Sequence, residues 1–284
     1  MTIDHFFDEA TATLSYLVAD EATRAAAVVD PLMDYDPRSG RTSWASCEAI
    51  ARVVDDRGLS LRWALDTHLH ADHVTGIAFF RDRYGARTVA GRDVGLVQRT
   101  FRDLYHLGPD LPVDGSQFDR LVDDGDVLEL GTLALRVLHT PGHAPAHLCF
   151  QIEDAVFLGD TLFAPDYGTA RCDFPGGSAE LLYESIRRLY ALPDETRLLL
   201  GHDYRPGDRP LRYETTVGEQ KERNVQLDAR TAKADFVARR RRRDAELEMP
   251  LLILPAMQVN IRAGQLPAPE ENGISYLRIP LNAF

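Results

Sequence analysis

The chain has 284 residues, of which 44% are hydrophobic and 27% charged, a composition that suits a globular enzyme with a sizeable core. Its formal net charge of -12 disfavours nucleic acid as a main partner. No run approaches the roughly 18–20 apolar residues of a membrane span, and the first residues carry neither a basic leader nor an apolar signal core, so the sequence predicts a cytoplasmic protein.

Residues 12–18 and 25–29 read as two strands joined by a turn, and Asp30-Pro31 ends the second because proline cannot donate to a ladder. A helix is predicted over 44–57, with Ser43 as its N-cap and Gly58 as its stop. Residues 61–65 form a short buried strand that runs directly into Asp66-Thr67-His68. A helix over 74–84 closed by Gly85 and a strand over 87–90 follow, then strands over 127–130, 133–139, 147–153 and 155–158. The helix predicted over 178–190 places Leu181, Leu182, Ile186 and Leu189 at helical spacing, with Arg187 and Arg188 outside. Residues 198–200 make a further buried strand that ends at Gly201-His202. Two rounds of strands followed by helices predict an α/β (α+β) fold, with two packed sheets and helices outside.

The character changes from about Pro206. Residues 214–247 are charged and helix-prone, and the five arginines Arg239 to Arg243 read as a mixed, solvated helix face with a surface or subunit-contact role. A tail punctuated by Pro250, Pro255, Pro267 and Pro269 runs to Phe284. The expected organisation is a catalytic core over 1–205 and an extension over 206–284 packed on it, through which a homodimer is plausible. Cys47, Cys149 and Cys172 are too scattered for a disulfide framework or a Cys-rich zinc site, and read as reduced thiols.

The chemistry concentrates in Thr67-His68-Leu69-His70-Ala71-Asp72-His73. Three imidazoles and a carboxylate follow an apolar strand, and a loop at a strand end lets such side chains converge on Zn, Fe or Mn. A lone histidine such as His5 or His106 reads as structural. His143 follows the Pro141-Gly142 turn, Asp160 follows Phe157-Leu158-Gly159, and His202 follows Leu199-Leu200-Gly201. Each of these three lies beyond an apolar strand, as in a site built along one edge of a sheet scaffold.

His-x-His-x-Asp-His, Pro-Gly-His, Gly-Asp-Thr and Gly-His together resemble the metallo-β-lactamase superfamily over about residues 10–205. The resemblance implies an αββα sandwich with metal at its edge. In dinuclear members one metal is held by the equivalents of His68, His70 and His143, the second by those of Asp72, His73 and His202, and Asp160 bridges. Flanking motifs narrow the likeness. His-Ala-Asp-His-Val-Thr-Gly, Arg171-Cys172-Asp173-Phe174, Leu182-Tyr183, His202-Asp203-Tyr204 and Asn260-Ile261-Arg262-Ala263-Gly264 resemble the persulfide (sulfur) dioxygenases. The run from Asp166 to Gly177 is most similar to their bacterial β-lactamase-like sulfide-detoxification branch.

That resemblance implies oxidation of glutathione persulfide by O2 to sulfite and glutathione at one Fe(II), with His68, His143 and Asp160 as ligands. Two histidines and a carboxylate form a facial triad that leaves open positions. His70, Asp72, His73 and His202 then become an outer shell orienting ligands and water. Arg171, Asp173 and Tyr204 are the candidates for catalytic polar groups, and Tyr183 and Arg262 for contacts to the glutathione moiety. The cysteine differs in place from that of the better-known dioxygenases, so Cys172 inherits no role and reads as a packed thiol. Nothing after Tyr204 resembles a rhodanese loop. The alternative is a glyoxalase II-like thioester hydrolase with two Zn(II) or mixed metals and a hydroxide nucleophile. His-Asp-Tyr in place of His-Glu-Tyr, and Arg-Cys-Asp-Phe in place of Arg-Phe-Phe, weigh against it. A decayed fold kept as a binding module conflicts with the complete ligand set.

Overall fold

The computed structural model describes residues 1–283, so Phe284, the last residue of the expected extension, lies outside the described residues. The chain opens with an antiparallel hairpin of β1 (Thr2–Asp8) and β2 (Thr13–Ala19), followed by β3 (Ala25–Val29). Every residue of β2 and β3 is buried, because both faces of their sheet are covered. After Asp30 come β4 (Leu32–Asp36), β5 (Arg41–Ser43) and α1 (Ala45–Asp56). Then follow β6 (Ser60–Leu65), β7 (Val74–Thr75), α2 (Ile77–Tyr84), β8 (Arg87–Gly91), α3 (Val94–Leu104) and β9 (Arg120–Val122). The first sheet has the order β1-β2-β3-β6-β8-β9, and its last three pairings are parallel.

The second sheet is built from β10 (Val127–Leu130), β11 (Leu133–His139), β12 (Leu148–Ile152) and β13 (Ala155–Phe157), with α4 (Ala179–Leu189) crossing to β14 (Arg197–Leu199) and β15 (Glu214–Thr216) at the edge. The chain beyond residue 205 therefore contributes a strand to this sheet. A short 3-10 turn over Pro206–Asp208 precedes it, and α5 (Val217–Arg223), α6 (Lys233–Asp244) and α7 (Ile253–Asn260) follow.

The period of two along β2 divides its side chains between two cores. Leu14, Tyr16 and Val18 join Val137, Phe150, Phe157 and Leu198 between the sheets, with Leu182 and Ile186 of α4 and Phe236 of α6 in the same cluster. Leu17 and Ala19 face the other way, against Ile50, Val54, Phe80, Phe101 and Met257 of the helices. The result is the expected αββα sandwich.

Three local expectations change. The predicted helix over 74–84 is split, because Val74 and Thr75 pair with Met33 and Leu32, and Gly76 precedes α2. A Cβ at Gly76 would come within 2.5 Å of Cys47 Sγ, so this junction admits only glycine. Ser43 does not cap α1, since it lies in β5 and its hydroxyl donates to Asp34, leaving Trp44 at the cap. The arginine run is not wholly solvated. Arg240 is 1% exposed, paired with Asp244 and bonded to Gln226 Oε1 and the Thr169 carbonyl. Four residues along a helix bring Arg240 and Asp244 onto one face, and that face is turned inward.

Candidate metal centre

Asp30 organises the loop that follows β6. It leaves β3 with a left-handed φ of 48°. Its buried carboxylate accepts from the Thr67 backbone N–H (2.7 Å), the Thr67 hydroxyl (2.9 Å) and His70 Nε2 (3.1 Å). The last bond leaves His70 Nδ1 as the atom for a metal. Burial opposes charge on His70, but the Asp30 carboxylate outweighs it and holds the imidazole up to about 9. A metal ion must therefore displace a proton there. Burial and the neighbouring imidazoles of His70, His147 and His143 push His68 well below the ordinary histidine value, which keeps it neutral.

The other ligand-type side chains come from the second sheet and its connections. Gly142 has a φ of 144°, and a Cβ there would meet the Leu182 backbone nitrogen at 2.3 Å, so the turn before His143 requires glycine. His143 Nδ1 donates to the Arg171 carbonyl at 2.8 Å, leaving Nε2 3.7 Å from Asp160 Oδ2. His202 Nδ1 donates to the Ala12 carbonyl at 3.2 Å, while its Nε2 lies 3.0 Å from Asp72 Oδ2 and 3.2 Å from Asp160 Oδ1. Burial opposes charge on His202, yet Asp72 and Asp160 raise it to about 10. Both carboxyls are correspondingly held below the ordinary range.

Three groups of ligand atoms result, each within 4.8 Å of one another: His68 with His143 and Asp160, His70 with Asp72 and His73, and His70 again with Asp30 and Asp66. Buried and without a hydrogen bond are Asp66 Oδ2, His68 Nε2, His70 Nδ1, Asp72 Oδ2, His73 Nε2 and Asp160 Oδ1, with Asp72 Oδ2 and Asp160 Oδ1 near His202 Nε2 but not in hydrogen-bond geometry with it. Orphaned buried polar atoms are costly singly. Six that cluster on ligand-type side chains fit a cation, so the residues present suit a metal.

A cavity of about 340 Å3 opens over this centre. Asp72, His143 and Asp160 line it together with Phe163, Tyr167, Phe174 and Tyr204. Arg171 also lines it, with its Nε and one terminal nitrogen each 2.7 Å from the Asp173 carboxylate and the other donating to the Glu248 carbonyl at 2.6 Å. Tyr204 stacks near His202 at 5.6 Å. The side chain is 41% exposed overall, yet crowding around the phenol and the nearby Asp160 and Asp72 carboxylates push its pKa above the ordinary value, so it stays a proton donor.

A family profile described as "Metallo-beta-lactamase superfamily" matches residues 9–202. The chain belongs to the metallo-β-lactamase superfamily. Within that superfamily it is similar to a "probable metallo-hydrolase" of Burkholderia pseudomallei (strain 1710b), at 49% identity over all of both chains. It is 48% identical to a "Beta-lactamase hydrolase-like protein" of Xylella fastidiosa (strain Temecula1), where it covers 99% of this chain but spans only 65% of that relative's length. The solved structure of ETHE1 from Myxococcus xanthus superposes with a TM-score of 0.74 and 30% identity, over 93% of this chain and 100% of that one.

Three of the predicted catalytic and substrate residues lie outside the cavity lining: Asp173, whose carboxylate is paired with Arg171, Tyr183 and Arg262. The Tyr183 hydroxyl donates to the Thr231 carbonyl beside Phe236, and Arg262 donates to the Gln258 carbonyl past the end of α7. Tyr183 is turned toward α6 and the segment before it, and Arg262 back onto the last turn of α7. Three contributors went unread. His147, fully buried, accepts the Asp160 backbone N–H at Nε2 (2.9 Å) and reaches Thr140 Oγ1 with Nδ1 (2.9 Å). Its spacing from His143 was the available signal. Asp30 looked like a strand terminator, and Asn260 lay in a motif with no evident geometry. Among the described residues, no helix is long and apolar enough to cross a membrane.

Proposed function

We propose that this chain is a persulfide dioxygenase acting on glutathione persulfide at one Fe(II) held by His68, His143 and Asp160. Glutathione persulfide, O2 and water give glutathione, sulfite and two protons, with four electrons passing from the outer sulfur to O2. The observation that carries the reading is the position of His202 Nε2 between Asp72 and Asp160, at 3.0 and 3.2 Å. With a proton on Nε2, His202 would bring positive charge between the two carboxylates, and the His68–His143–Asp160 group would remain as a two-histidine, one-carboxylate site. The likeness to ETHE1 over nearly the whole chain supports the same reading.

A bound Fe(II) would supply a redox centre with open coordination positions. The chain supplies the rest. The Arg171 carbonyl orients His143 through Nδ1, and the His147 ring fixes the Asp160 backbone. Phe163, Phe174 and Tyr167 give the cavity an apolar wall, and the Tyr204 hydroxyl holds a proton at its lining.

A second reading, a glyoxalase II-like hydrolase with two metals, is favoured by the orphaned His70 Nδ1 and His73 Nε2. Oxygen uptake with glutathione persulfide, beside hydrolysis of S-lactoylglutathione and metal counting, tests the choice. One iron per chain with oxygen uptake supports the dioxygenase. Two zinc ions with thioester hydrolysis and no oxygen uptake reject it.

A further inference from the structure

The cavity wall opposite the metal ligands carries charge that the protein leaves uncompensated. Three arginines line the cavity. Arg171 is held by Asp173, and Arg240 by Asp244. Arg243 lies over the Tyr167 ring at 5.5 Å and forms no ion pair among the described residues. Glu248, on the segment linking α6 to α7, also lines the cavity. Its backbone carbonyl is taken by Arg171, but its exposed carboxylate has no ion-pair partner among the described residues. The same wall is otherwise apolar, through Leu247, Pro250 and Leu251.

We infer that Arg243 and Glu248 recognise the zwitterionic amino-acid end of the substrate, so that the carrier thiol is a glutathione- or cysteine-type molecule. An arginine fork matches a carboxylate, and stacking on Tyr167 limits its loss of freedom on binding. Glu248 complements an ammonium group. The sulfur end then reaches the floor at His143 and Asp160, while the amino-acid end stays at the mouth. A polyphosphorylated carrier would set its phosphates against Glu248, and inorganic polysulfide would leave both charges unused.

The inference rests on the persulfide reading for its sulfur chemistry, but its test is binding and not turnover. Calorimetric titration of the purified, metal-containing protein uses glutathione, its diethyl ester and its N-acetyl derivative as probes. Arg243→Ala weakens glutathione about tenfold, an ordinary loss for one charge-assisted contact. Esterification costs the wild type a similar factor and costs Arg243→Ala nothing further. N-acetylation weakens binding to the wild type more than to Glu248→Gln. Arg242→Ala, a neighbour outside the cavity lining, leaves affinity unchanged. No glutathione binding by the wild type, equal affinity in Arg243→Ala, or an ester penalty common to both proteins overturns the inference. Absent oxygen uptake with the binding pattern intact would sink the dioxygenase reading and leave this wall standing.

Discussion

Asn260 is 190 residues from His70 in sequence, yet its amide nitrogen donates to the His70 carbonyl at 2.8 Å. The same nitrogen donates to the His73 carbonyl at 2.9 Å, and the amide oxygen accepts the Thr75 N–H at 2.9 Å. A fully buried side chain at the end of α7 thus satisfies three backbone groups of the ligand loop. The C-terminal segment is in this respect part of the metal centre.

Asn260→Asp keeps the acceptor for Thr75 and faces two carbonyl oxygens with another oxygen. Metal affinity should fall by about 10–100-fold, as for other groups that orient ligands, measured by competition with a chelator. Asn260→Ala should cost about 1–3 kcal/mol of stability through unsatisfied carbonyls. Unchanged metal affinity in both variants would reduce Asn260 to a packing residue.

The Arg240–Asp244 pair supports the opposite wall. Asp244 also accepts the Cys172 backbone N–H at 3.0 Å, next to Arg171, whose carbonyl orients His143. Arg240→Met strands a buried carboxylate and should cost about 3–5 kcal/mol in urea unfolding. Adding Asp244→Leu should recover part of that loss, since the Cys172 N–H still lacks its acceptor. A double variant as unstable as the single one would show that the charge itself is not the problem.

The ligand loop and its partners were legible because each lies just past an apolar strand, and residue type alone announces metal chemistry. The two sheets were legible for a related reason: buried strands such as β3, β6 and β13 are short apolar runs with punctuated ends. The β4–β5 hairpin was not, because Asp34, Tyr35, Asp36 and Arg41 carry no alternation. Arg240 was misread because composition describes a whole helix, and burial is decided on one face. Its partners Gln226 and Thr169, from other segments of the chain, leave no local trace. Asp30 reads as a strand end and His147 is signalled only by its spacing from His143; their roles emerge when separated strands bring Asp30 to His70 and His147 to the Asp160 backbone.

His147 gives the metal-free protein a defined acid sensitivity. Burial, then the neighbouring His143, push its pKa from the ordinary 6.5 down to about 3. As pH falls below about 6.5, the unfolded chain takes up this proton before the folded one does, so stability declines until about pH 3. His147→Gln should be less stable near pH 7.5, having lost the fitted imidazole. Its stability should also depend less on pH between 6.5 and 4, by about one proton, in denaturant titrations across that range. An unchanged slope would mean that His147 is not held neutral.

His202 separates the one-metal and two-metal centres. Its Nε2 touches Asp72 and Asp160 but belongs to none of the three groups of mutually close ligand atoms. Removing it by His202→Ala takes a positive charge from beside Asp160, which leaves the His68–His143–Asp160 site more negative and no less able to hold a cation. Elemental analysis should find one iron per chain in both wild type and variant, while Asp160→Ala loses most of it. Oxygen uptake should fall in His202→Ala, because Asp72 and Asp160 then repel one another and Asp160 loses its fixed orientation. A wild type with two metals that drops to one in His202→Ala would instead assign His202 as a ligand, and would move the chemistry to the bridged-metal hydrolase.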